Sequence, residues 1–467
     1  MITRQVDVAV IGAGSAGMNA FRAAKERTNK VLLIESGEYG TTCARVGCMP
    51  SKLLIAAAEA AHNVAEASGF GINPLAVEID GVAVMERVRT ERDRFVGFAA
   101  AAATNEPMSQ RLIGRAKFLD DNTLVVDDHT VVKARSIVIA TGSRPVYPRS
   151  FESLGDRLMV NDDVFEWRDL PNSIAVFGPG VIGLELGQAL SRLGVRTHMF
   201  GLGGQVGPLT DPSVMASATQ TLSKEFYLNA NANVTKMVAV EEGVLIEYQD
   251  QNQSQSIVVD NVIASTGRAP NVGNLGLENT TLVLDDKGVP VFDSETMQAG
   301  ASSIFIAGDA NNQKTLLHEA VDEGRIAGKN AATYPVVDKG LRTSPLGVVF
   351  TDPQMAMVGS TYRELKGKGV VIGEVSFEGQ GRSRVMRQNK GLLRVYADCV
   401  TGQFLGAEMF GPRVEHLGHL LAWAHQAEMT IEQMLQMPFY HPVIEEGLRT
   451  ALRDAKDQLQ TCLPKAA

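Results

Sequence analysis

The chain contains 467 residues, of which 45% are hydrophobic and 21% are charged, and its formal net charge is −9. This length predicts several domains, because a single hydrophobic core stops growing at about 250–300 residues. The acidic balance argues against nucleic-acid binding, which needs a basic surface, and no apolar run in the sequence reaches the roughly 18 residues that span a membrane. We therefore expect a cytoplasmic protein without a membrane segment or a nucleic-acid partner.

The first predicted unit opens with a buried strand that begins at Asp7 and runs into a glycine turn containing Gly12, Gly14 and Gly17. An alanine-rich helix and a second strand follow, and the second strand ends at Glu35. In such a unit the glycines allow a tight turn, close approach of a pyrophosphate and close packing of helix on strand, while the acid binds ribose hydroxyl groups. The pattern favours a dinucleotide-binding unit over a glycine turn that only packs.

The chain has four cysteines: Cys43, Cys48, Cys399 and Cys462. This number is too small for a disulfide scaffold, and the spacing does not fit a zinc site, so we expect no metal. A disulfide needs Cα atoms about 4.4–6.8 Å apart, which an ideal helix does not offer to residues five positions apart. If Cys43 and Cys48 pair, the chain must be distorted near Gly47. Beside a dinucleotide loop and Lys52, a redox-active pair is favoured over two buried structural thiols.

A second unit of the same design follows a strand-rich region, residues 112–139, which ends in Ala140-Thr141-Gly142. Its strand runs into Gly178, Gly180 and Gly183, and a helix and another strand come next. One glycine pattern of this kind is weak evidence, but two copies in the same context predict two dinucleotide sites.

Two short motifs separate the second unit from the C-terminal part. The segment Ser265–Pro270 repeats the threonine–glycine style of the earlier tripeptide, and a buried strand from Ile304 ends at Gly308-Asp309, before a helix starting near Thr315. From about Arg342 the pattern changes to short alternating strands and then helices, with no further nucleotide-binding glycine loop. We interpret this last part as a separate α+β domain that forms an interface.

Near the C terminus, His441 lies five residues before Glu446, where a helix is predicted to begin. A histidine held by a carboxylate can move a proton near neutral pH, as thiol–disulfide exchange requires. Taken alone, this histidine would be interpreted as a packed loop residue. The cysteine pair earlier in the chain favours a proton-transfer dyad instead.

Together these motifs resemble the pyridine-nucleotide disulfide oxidoreductase family over essentially the whole chain, and within it the dihydrolipoamide dehydrogenases. The resemblance implies FAD and NAD as cofactors, with NADP as an alternative, and a homodimer whose active site is shared across the interface. The catalytic residues that it implies are Cys43, Cys48, Lys52, His441 and Glu446. The cofactor-binding residues expected on the same grounds are Gly12, Gly14, Gly17, Glu35, Thr42, Lys52, Ala116, Thr141, Gly142, Gly178, Gly180, Gly183, Glu185, Gly267, Arg268, Gly308 and Asp309.

The resemblance also implies a role for each side chain. Cys43 would exchange with the substrate disulfide, and Cys48 would lie beside the flavin. Lys52 would lie near the flavin ring and pair with Glu185, close to the nicotinamide, and Asp309 would hold the ribityl chain of the flavin. The histidine–glutamate dyad of one subunit would reach the cysteine pair of the other.

The expected fold class is α/β, with two Rossmann-like dinucleotide-binding domains, for FAD and for NAD, and a C-terminal α+β dimerisation domain. The expected boundaries are residues 1–147 for the first part of the FAD-binding domain, 148–265 for the NAD(P)-binding domain, 266–340 for the second, central part of the FAD-binding domain, and 341–467 for the interface domain.

The chain departs from the family pattern at three places, which comprise five residues. Thr41 replaces a glycine before the first cysteine, Ala44-Arg45 replaces Leu-Asn between the cysteines, and Phe439-Tyr440 replaces His-Ala before the dyad. The Arg45 cation either stabilises a thiolate or contacts an acidic substrate, or else it forms a surface salt bridge. These changes leave the expected mechanism unaltered and the identity of the disulfide substrate open.

The leading hypothesis is oxidation of dihydrolipoamide by NAD⁺ through FAD and the cysteine pair, with a small dithiol or a lipoyl-carrier protein as substrate. A glutathione reductase-like or other disulfide reductase that uses NAD(P)H is the alternative, since only substrate contacts separate the two. A mercuric reductase would need two terminal cysteines, whereas only Cys462 is present, and a soluble transhydrogenase would lack a complete redox pair. A structural flavin-binding subunit would need neither the cysteines nor the dyad.

The choice between NAD and NADP depends on the end of the second strand of the second unit. Gly201 stands there, at the position that Glu35 occupies in the first unit, so the acid that reads the ribose of NAD is missing. A 2′-phosphate, however, usually needs an arginine, and residues 201–207 contain no cation. Arg196 lies at the other end of the strand and is expected to point elsewhere. We therefore predict a modest preference for NADH.

Overall fold

The computed structural model describes residues Met1–Cys462. They form two compact units. One unit contains residues 1–50, 87–146 and 267–342, and the other contains residues 51–86, 147–266 and the chain from 343 onward. Both units are therefore assembled from segments that are distant in the sequence.

Each of the two glycine turns lies between a strand and a helix, as the motifs predict. The strands are β1 (Ile2–Ile11), β2 (Val31–Glu35), β3 (Arg111–Ile113), β4 (Ala116–Asp120), β5 (Thr123–Val126), β6 (Thr130–Ile139), β7 (Ser143–Pro145), β8 (Leu158–Met159), β9 (Ser173–Phe177), β10 (Arg196–Phe200), β11 (Tyr227–Asn229), β12 (Asn233–Val240), β13 (Gly243–Asp250), β14 (Gln253–Val259), β15 (Asn261–Ala264), β16 (Arg268–Pro270), β17 (Ile304–Ile306), β18 (Leu346–Val349), β19 (Gln354–Gly359), β20 (Val370–Ser376), β21 (Leu392–Asp398) and β22 (Phe404–Gly411). The α-helices are α1 (Ser15–Lys25), α2 (Thr42–Val46), α3 (Cys48–Ala65), α4 (Gly81–Thr104), α5 (Asn161–Val164), α6 (Val181–Arg192), α7 (Pro212–Leu222), α8 (Leu317–Thr333), α9 (Tyr362–Leu365), α10 (Gly381–Val385), α11 (Val414–Gln426), α12 (Ile431–Leu435) and α13 (Glu445–Cys462).

The first unit is built on a seven-stranded sheet in the order β3-β2-β1-β6-β5-β4, with β17 beside β6. The strands β3, β2, β1, β6 and β17 are parallel to their neighbours, whereas β4 and β5 form an antiparallel extension. The centre of β1 is apolar and fully covered, as expected for a parallel strand with helices or strands over both faces. The carboxyl ends of β1, β6 and β17 therefore meet at one edge of the sheet, where ligands bind in folds of this kind.

The second unit contains a parallel sheet in the order β11-β10-β9-β15-β8 and an antiparallel three-stranded sheet, β12-β13-β14. Aromatic rings fill the space between these sheets: the ring centroids of Phe200 and Tyr248 are 5.0 Å apart, and those of Tyr227 and Tyr248 are 5.6 Å apart. Burial raises the pKa of Tyr227 to about 12. Its hydroxyl group therefore stays protonated in this apolar layer.

A third sheet, in the order β18-β19-β22-β21-β20, is antiparallel throughout and also belongs to the second unit. The helices α11, α12 and α13 supply apolar side chains to the same core as this sheet. The expected fold class is confirmed: two strand–turn–helix units of the dinucleotide-binding type precede a C-terminal α+β part. None of the helices within residues 1–462 combines the length and the apolar character needed to cross a membrane.

A fully buried carboxylate, that of Glu408 on β22, holds the chain just before α7. It accepts hydrogen bonds from the backbone N–H groups of Thr210 (2.6 Å), Asp211 (2.8 Å) and Tyr362 (2.9 Å), and from the hydroxyl group of Thr210 (2.5 Å). An ionised carboxylate offers about four acceptor sites, so all of them are occupied. This side chain links α7 to the antiparallel sheet.

Asp211 is equally buried and continues this polar network. It caps the N terminus of α7 by accepting from the N–H group of Ser213 (2.9 Å), and it pairs with Arg394 at 3.1 Å. Burial raises the pKa of Tyr396, so its hydroxyl group keeps the proton that it donates to Asp211 at 3.0 Å.

We predict that Glu408→Ala lowers the melting temperature by several degrees, because it leaves three backbone N–H groups without an acceptor at a cost of about 1–3 kcal/mol each. Differential scanning calorimetry of the purified protein measures this effect. Glu408→Gln keeps one acceptor oxygen and should lose less, and replacement of the exposed Glu242 by alanine should shift the melting temperature by no more than about 1 °C. Equal shifts of the melting temperature for Glu408→Ala and Glu242→Ala would show that the hydrogen bonds of Glu408 do not stabilise the fold.

Candidate active site

The first glycine turn places the start of α1 directly behind the end of β1. Gly12 has a φ of +104°, and a Cβ atom there would overlap the carbonyl oxygen of Ala140. A Cβ atom at Gly17 would overlap the carbonyl oxygen of Gly12, whereas one at Gly14 would meet no atom within 4 Å. Gly14 therefore leaves open space beside the start of α1 and provides no side-chain cap for its first N–H groups. This is the arrangement that binds a phosphate charge at a helix N terminus.

The carboxylate of Glu35 lies at the end of β2 and is fixed by backbone donors. Its Oε2 atom accepts from the N–H group of Ala13 at 2.7 Å, and its Oε1 atom accepts from those of Ser36 (2.7 Å) and Gly37 (3.0 Å). Three of about four acceptor sites are thus occupied. The remaining one can accept from a ribose hydroxyl group, which fits the adenosine end of a dinucleotide.

The second glycine turn repeats the first almost atom for atom. Gly178 has a φ of +105°, and a Cβ atom there would overlap the carbonyl oxygen of Ser265. A Cβ atom at Gly183 would overlap the carbonyl oxygen of Gly178, and the space around Gly180 is open. Helix α6 also lacks a side-chain cap. The second unit therefore offers a phosphate site of the same form.

The ribose end of this second site differs from that of the first. A Cβ atom at Gly201 would lie 2.6 Å from the carbonyl oxygen of Ala230 and 2.7 Å from Cγ of Pro179. No acidic side chain fits there unless the turn moves. Arg196, at the start of β10, is exposed and donates to the carbonyl oxygen of Val258 at 2.8 Å. It therefore points away from the carboxyl end of its strand, as predicted.

The segment that carries Cys43 and Cys48 consists of two helices separated by a break at Gly47. Cys43 lies in α2, and Cys48 is the first residue of α3. A Cβ atom at Gly47 would lie 3.1 Å from the carbonyl oxygen of Thr42 and 3.2 Å from Cα of Cys43. The chain thus folds back on the first cysteine more tightly than a side chain at this position would permit without a shift of its neighbours. The distortion expected between the cysteines is present.

Two departures from the family pattern have a local explanation. Thr41 caps α2, because its hydroxyl oxygen accepts from the N–H group of Ala44 at 3.2 Å. Arg45 forms an ion pair with Glu38 at 3.0 Å and donates to the carbonyl oxygen of Tyr39 at 2.5 Å. The guanidinium group is therefore engaged with the preceding loop, and this favours the salt-bridge interpretation of Arg45.

Lys52 and Glu185 are brought together in the second unit. Nζ of Lys52 lies 2.7 Å from Oε2 of Glu185, whose side chain is only 5% exposed. The other carboxylate oxygen accepts from the N–H group of Phe350 at 3.0 Å. Lys52 also lies over the Phe350 ring, 4.6 Å from its centroid, within the range of a cation–π contact.

The carboxylate of Asp309 is oriented by side chains from two other segments of the first unit. The hydroxyl group of Ser143 donates to Oδ2 of Asp309 at 2.7 Å, and Nε of Arg268 donates to the same hydroxyl oxygen at 2.8 Å. Arg268 also donates to the Ser143 carbonyl oxygen at 2.9 Å. A chain of hydrogen bonds across separate parts of the sequence therefore fixes the direction of one carboxylate.

A buried carboxylate, that of Glu323 on α8, supports the turn that carries Asp309. It accepts from the N–H group of Gly308 at 2.8 Å and from the amide of Asn311 at 2.7 Å, and it pairs with Arg342 at 2.9 Å. Burial raises the pKa of Glu323 above its usual value, and these donors act in the opposite direction. The turn that carries Asp309 is thus held from within the core.

His441 and Glu446 form the expected pair. Nδ1 of His441 lies 3.0 Å from Oε1 and 3.1 Å from Oε2 of Glu446. This hydrogen bond lowers the pKa of Glu446, so the carboxylate stays ionised and can only accept. The proton therefore resides on Nδ1, and Nε2 is the atom that can take up a proton. The imidazole is 80% exposed in the single chain.

The remaining predicted cofactor residues lie in the first unit. Thr42 begins α2, and Thr141 follows β6 and donates from its hydroxyl group to the carbonyl oxygen of Asn271 at 2.8 Å. Ala116 begins β4 and is buried. Two further predicted residues, Gly142 and Gly267, both have positive φ and precede the paired strands β7 and β16.

Several side chains that hold these groups are not predicted by any sequence motif. Ser143 directly follows the Ala140-Thr141-Gly142 tripeptide, so its position beside a recognised motif could have indicated a role. No motif points to Glu323, Arg342 or Phe350, because each of them contacts a group that lies at least 12 positions away in the sequence. Among residues 1–462, no group of three or more histidine, cysteine, aspartate or glutamate side chains could hold a metal ion.

The sequence and the fold of this chain are similar to those of known proteins. Residues 6–324 match the family described as pyridine nucleotide-disulphide oxidoreductase, and residues 346–452 match its dimerisation domain. The dihydrolipoyl dehydrogenase of Thermus scotoductus is 30% identical over 458 residues, which cover 95% of this chain and 96% of that protein. The dihydrolipoyl dehydrogenase of Geobacillus stearothermophilus is 28% identical over 449 residues, covering 95% and 94%.

Two solved structures share the fold. The HOCl-induced flavoprotein disulfide reductase RclA from Escherichia coli has a TM-score of 0.80 at 21% identity and covers 97% of this chain and 99% of its own. LpdA from Mycobacterium tuberculosis has a TM-score of 0.81 at 22% identity and covers 96% and 99%. The family match extends over more than half of the sequence, and this chain therefore belongs to the pyridine nucleotide-disulphide oxidoreductase family.

Proposed function

We propose that this chain transfers electrons between NAD(H) and a small dithiol or disulfide through FAD and the cysteine pair, with dihydrolipoamide as the first substrate. The observation that carries this proposal is the helix break at Gly47, which folds the chain back on Cys43 and separates it from Cys48. A structural pair of thiols does not need such a break.

FAD and NAD(H) are the cofactors of this family. The residues present fit both, since each glycine turn leaves open space in front of an uncapped helix N terminus. In the first unit, Glu35 would hold the ribose and Asp309 the ribityl chain of FAD. In the second unit, α6 would bind the pyrophosphate of NAD(H). When bound, FAD supplies the two-electron couple that connects the nicotinamide with the cysteines.

The cysteine chemistry is a balanced exchange of disulfides. One thiolate of dihydrolipoamide attacks Sγ of Cys43 in the oxidised pair, which breaks the Cys43–Cys48 bond and releases Cys48 as a thiolate. The second substrate thiolate then attacks the substrate sulfur of the mixed disulfide, which closes the lipoamide ring and releases Cys43 as a thiolate. Two electrons pass from the substrate to the cysteine pair, and two substrate protons must be removed.

In the proposed mechanism, His441 removes these protons at Nε2. Glu446 keeps the Nδ1 proton in place and stabilises the imidazolium that forms. In the family, this dyad serves the cysteine pair of the second subunit. We therefore propose a homodimer with a shared active site, supported by the match of residues 346–452 to the dimerisation domain and by the exposure of His441 in the single chain.

Dihydrolipoamide is favoured because the curated relatives described above are dihydrolipoyl dehydrogenases over nearly their whole length. A different disulfide is the second candidate, because Phe439-Tyr440 stands directly before His441 in place of the usual His-Ala. Phe439 packs against the C-terminal core, whereas Tyr440 is 80% exposed beside the proton acceptor and would change which substrate reaches Cys43.

Steady-state turnover of dihydrolipoamide, oxidised glutathione and free lipoamide, each with NAD(H) and NADP(H), tests the proposed function. We expect the highest kcat/KM with the lipoyl substrates and a preference for NADH of at most about tenfold, roughly 1.4 kcal/mol or one good hydrogen bond. The reason is that Gly201 provides neither an acid for a ribose nor a cation for a phosphate. A clear preference for NADPH with glutathione would overturn the lipoyl assignment.

The cysteine roles predict different losses for two serine variants. Cys43→Ser should abolish disulfide turnover yet leave NADH-driven reduction of an artificial dye, because the dye does not need the exchange thiol. Cys48→Ser should abolish disulfide turnover and also remove the long-wavelength absorbance that a thiolate beside a flavin produces. Absorbance spectra and both assays check this. Full lipoamide activity in Cys43→Ser would show that the exchange thiol is another residue.

His441→Gln should lower disulfide turnover by about 10²–10⁴-fold, because the proton acceptor is lost. The dye assay serves as the internal control and should change little. Co-refolding His441→Gln with Cys43→Ser should restore part of the lipoamide activity, since each mixed dimer would contain one intact combination of cysteine pair and dyad. Mixed dimers without activity would argue that both residues serve the same subunit.

A further inference from the structure

One face of α6 carries three buried polar side chains, those of Glu185, Gln188 and Arg192. Their spacing of three and four residues places them on a single stripe of the helix. All three make contact with residues 350–352, which we call the Phe350 loop. Burying a polar side chain costs free energy unless it is hydrogen-bonded or ion-paired. The burial of these three side chains is therefore offset by the groups that they hold in place.

Gln188 holds the backbone of the Phe350 loop in both directions. Its Oε1 atom accepts from the N–H group of Asp352 at 2.8 Å, and its Nε2 atom donates to the carbonyl oxygen of Asp352 at 2.7 Å. The side-chain amide thus pairs with the loop as a neighbouring strand would. The two hydrogen bonds fix both the backbone N–H group and the backbone carbonyl group of Asp352.

Arg192 holds the same residue through its charge. Nη1 lies 2.9 Å from Oδ2 of Asp352, and Nη2 donates to the Asp352 carbonyl oxygen at 3.0 Å. The guanidinium group is itself held by two contacts with Glu225, at 2.9 and 3.0 Å. A two-point contact of this kind fixes direction as well as distance. The loop therefore has little freedom to move relative to α6.

The first residue of the loop touches both members of the Lys52–Glu185 pair. The N–H group of Phe350 donates to Glu185 Oε1, and the Phe350 ring lies under the Lys52 ammonium group. Lys52 in turn lies 2.7 Å from the other oxygen of Glu185. The three residues form a closed set of contacts in which each one orients the other two.

We propose that Phe350 is a positioning residue, which holds the Lys52 ammonium group against Glu185, and that Gln188 and Arg192 set the position of Phe350. The effect of this positioning on electron transfer rests on the proposed function, in which Lys52 and Glu185 lie beside the reacting cofactor rings. The ring acts through its aromatic face, because the contact with Glu185 comes from the backbone and survives a change of side chain.

The reactivity of Lys52 tests this proposal without an activity assay. Full-length protein, with and without FAD, is treated with trace acetic anhydride at neutral pH, and acetylation of Lys52 is measured by mass spectrometry. The exposed Lys287 in the same digest is the internal reference. Loss of a cation–π contact of about 0.5–1 kcal/mol corresponds to an increase of about two- to fivefold in the lysine side chain released from the ring, and the deprotonated amine of this released side chain is the form that acetic anhydride acylates.

Phe350→Leu should therefore raise the relative acetylation of Lys52 about two- to fivefold, whereas Phe350→Tyr, which keeps the aromatic face, should match the wild type. Gln188→Met removes the amide pairing at similar volume and should raise acetylation in the same direction although Phe350 is intact. Flavin content and circular dichroism identify variants that fold; should Phe350→Leu not fold, Gln188→Met and Phe350→Tyr decide the matter.

Unchanged acetylation in the folded Phe350→Leu variant would overturn the positioning role, and so would an equal rise in Phe350→Tyr, since this would show loosening of the fold rather than loss of the aromatic face. Stopped-flow reduction of the flavin by NADH should be slowed in Phe350→Leu and Gln188→Met, while Phe350→Tyr keeps the wild-type rate. A wild type that fails to turn over any lipoyl substrate would contradict the proposed function alone, because the acetylation result does not depend on the substrate.

Discussion

In both glycine turns, the carbonyl oxygen of the first glycine occupies the space that a Cβ atom at the third glycine would need, and this backbone contact determines where the following helix begins. It occurs between Gly12 and Gly17 and again between Gly178 and Gly183. Since any side chain would push the helix away from the strand, these contacts set where α1 and α6 begin. Each helix then starts without a side-chain cap. Its first N–H groups stay available for a phosphate, so a packing constraint creates the binding site.

Buried carboxylates orient the functional groups around these turns. Glu323 holds the N–H group beside Asp309, and Glu185 accepts from Phe350 with one oxygen and from Lys52 with the other. Each carboxylate is surrounded by donors, because an unpaired charge in the interior would cost several kcal/mol. The same pairing that makes burial possible fixes the directions of the side chains. The directions of these side chains are therefore set by buried contacts within each of the two units.

The departures around the cysteines act on structure more than on charge. Thr41 supplies the cap of the short helix that carries Cys43, and Arg45 ties that helix to Glu38 and to the carbonyl oxygen of Tyr39. A glycine and an asparagine would make neither contact. Cys43, the proposed exchange thiol, is thus held in place by its own sequence neighbours. This leaves the aromatic pair before His441 as the departure closest to the proposed proton acceptor.

Local sequence patterns are sufficient to predict the two strand–turn–helix units, the distortion between the cysteines, and the pairing of His441 with Glu446. These features depend on neighbours within about one turn or one loop, where glycine geometry and helix starts leave a clear pattern. The side chains that support these features are brought to them by the three-dimensional fold. Ser143 meets Asp309 across 166 positions, Lys52 meets Glu185 across 133, and Phe350 meets Glu185 across 165. Such contacts depend on which strands and loops become neighbours in space, and local spacing carries no information about that.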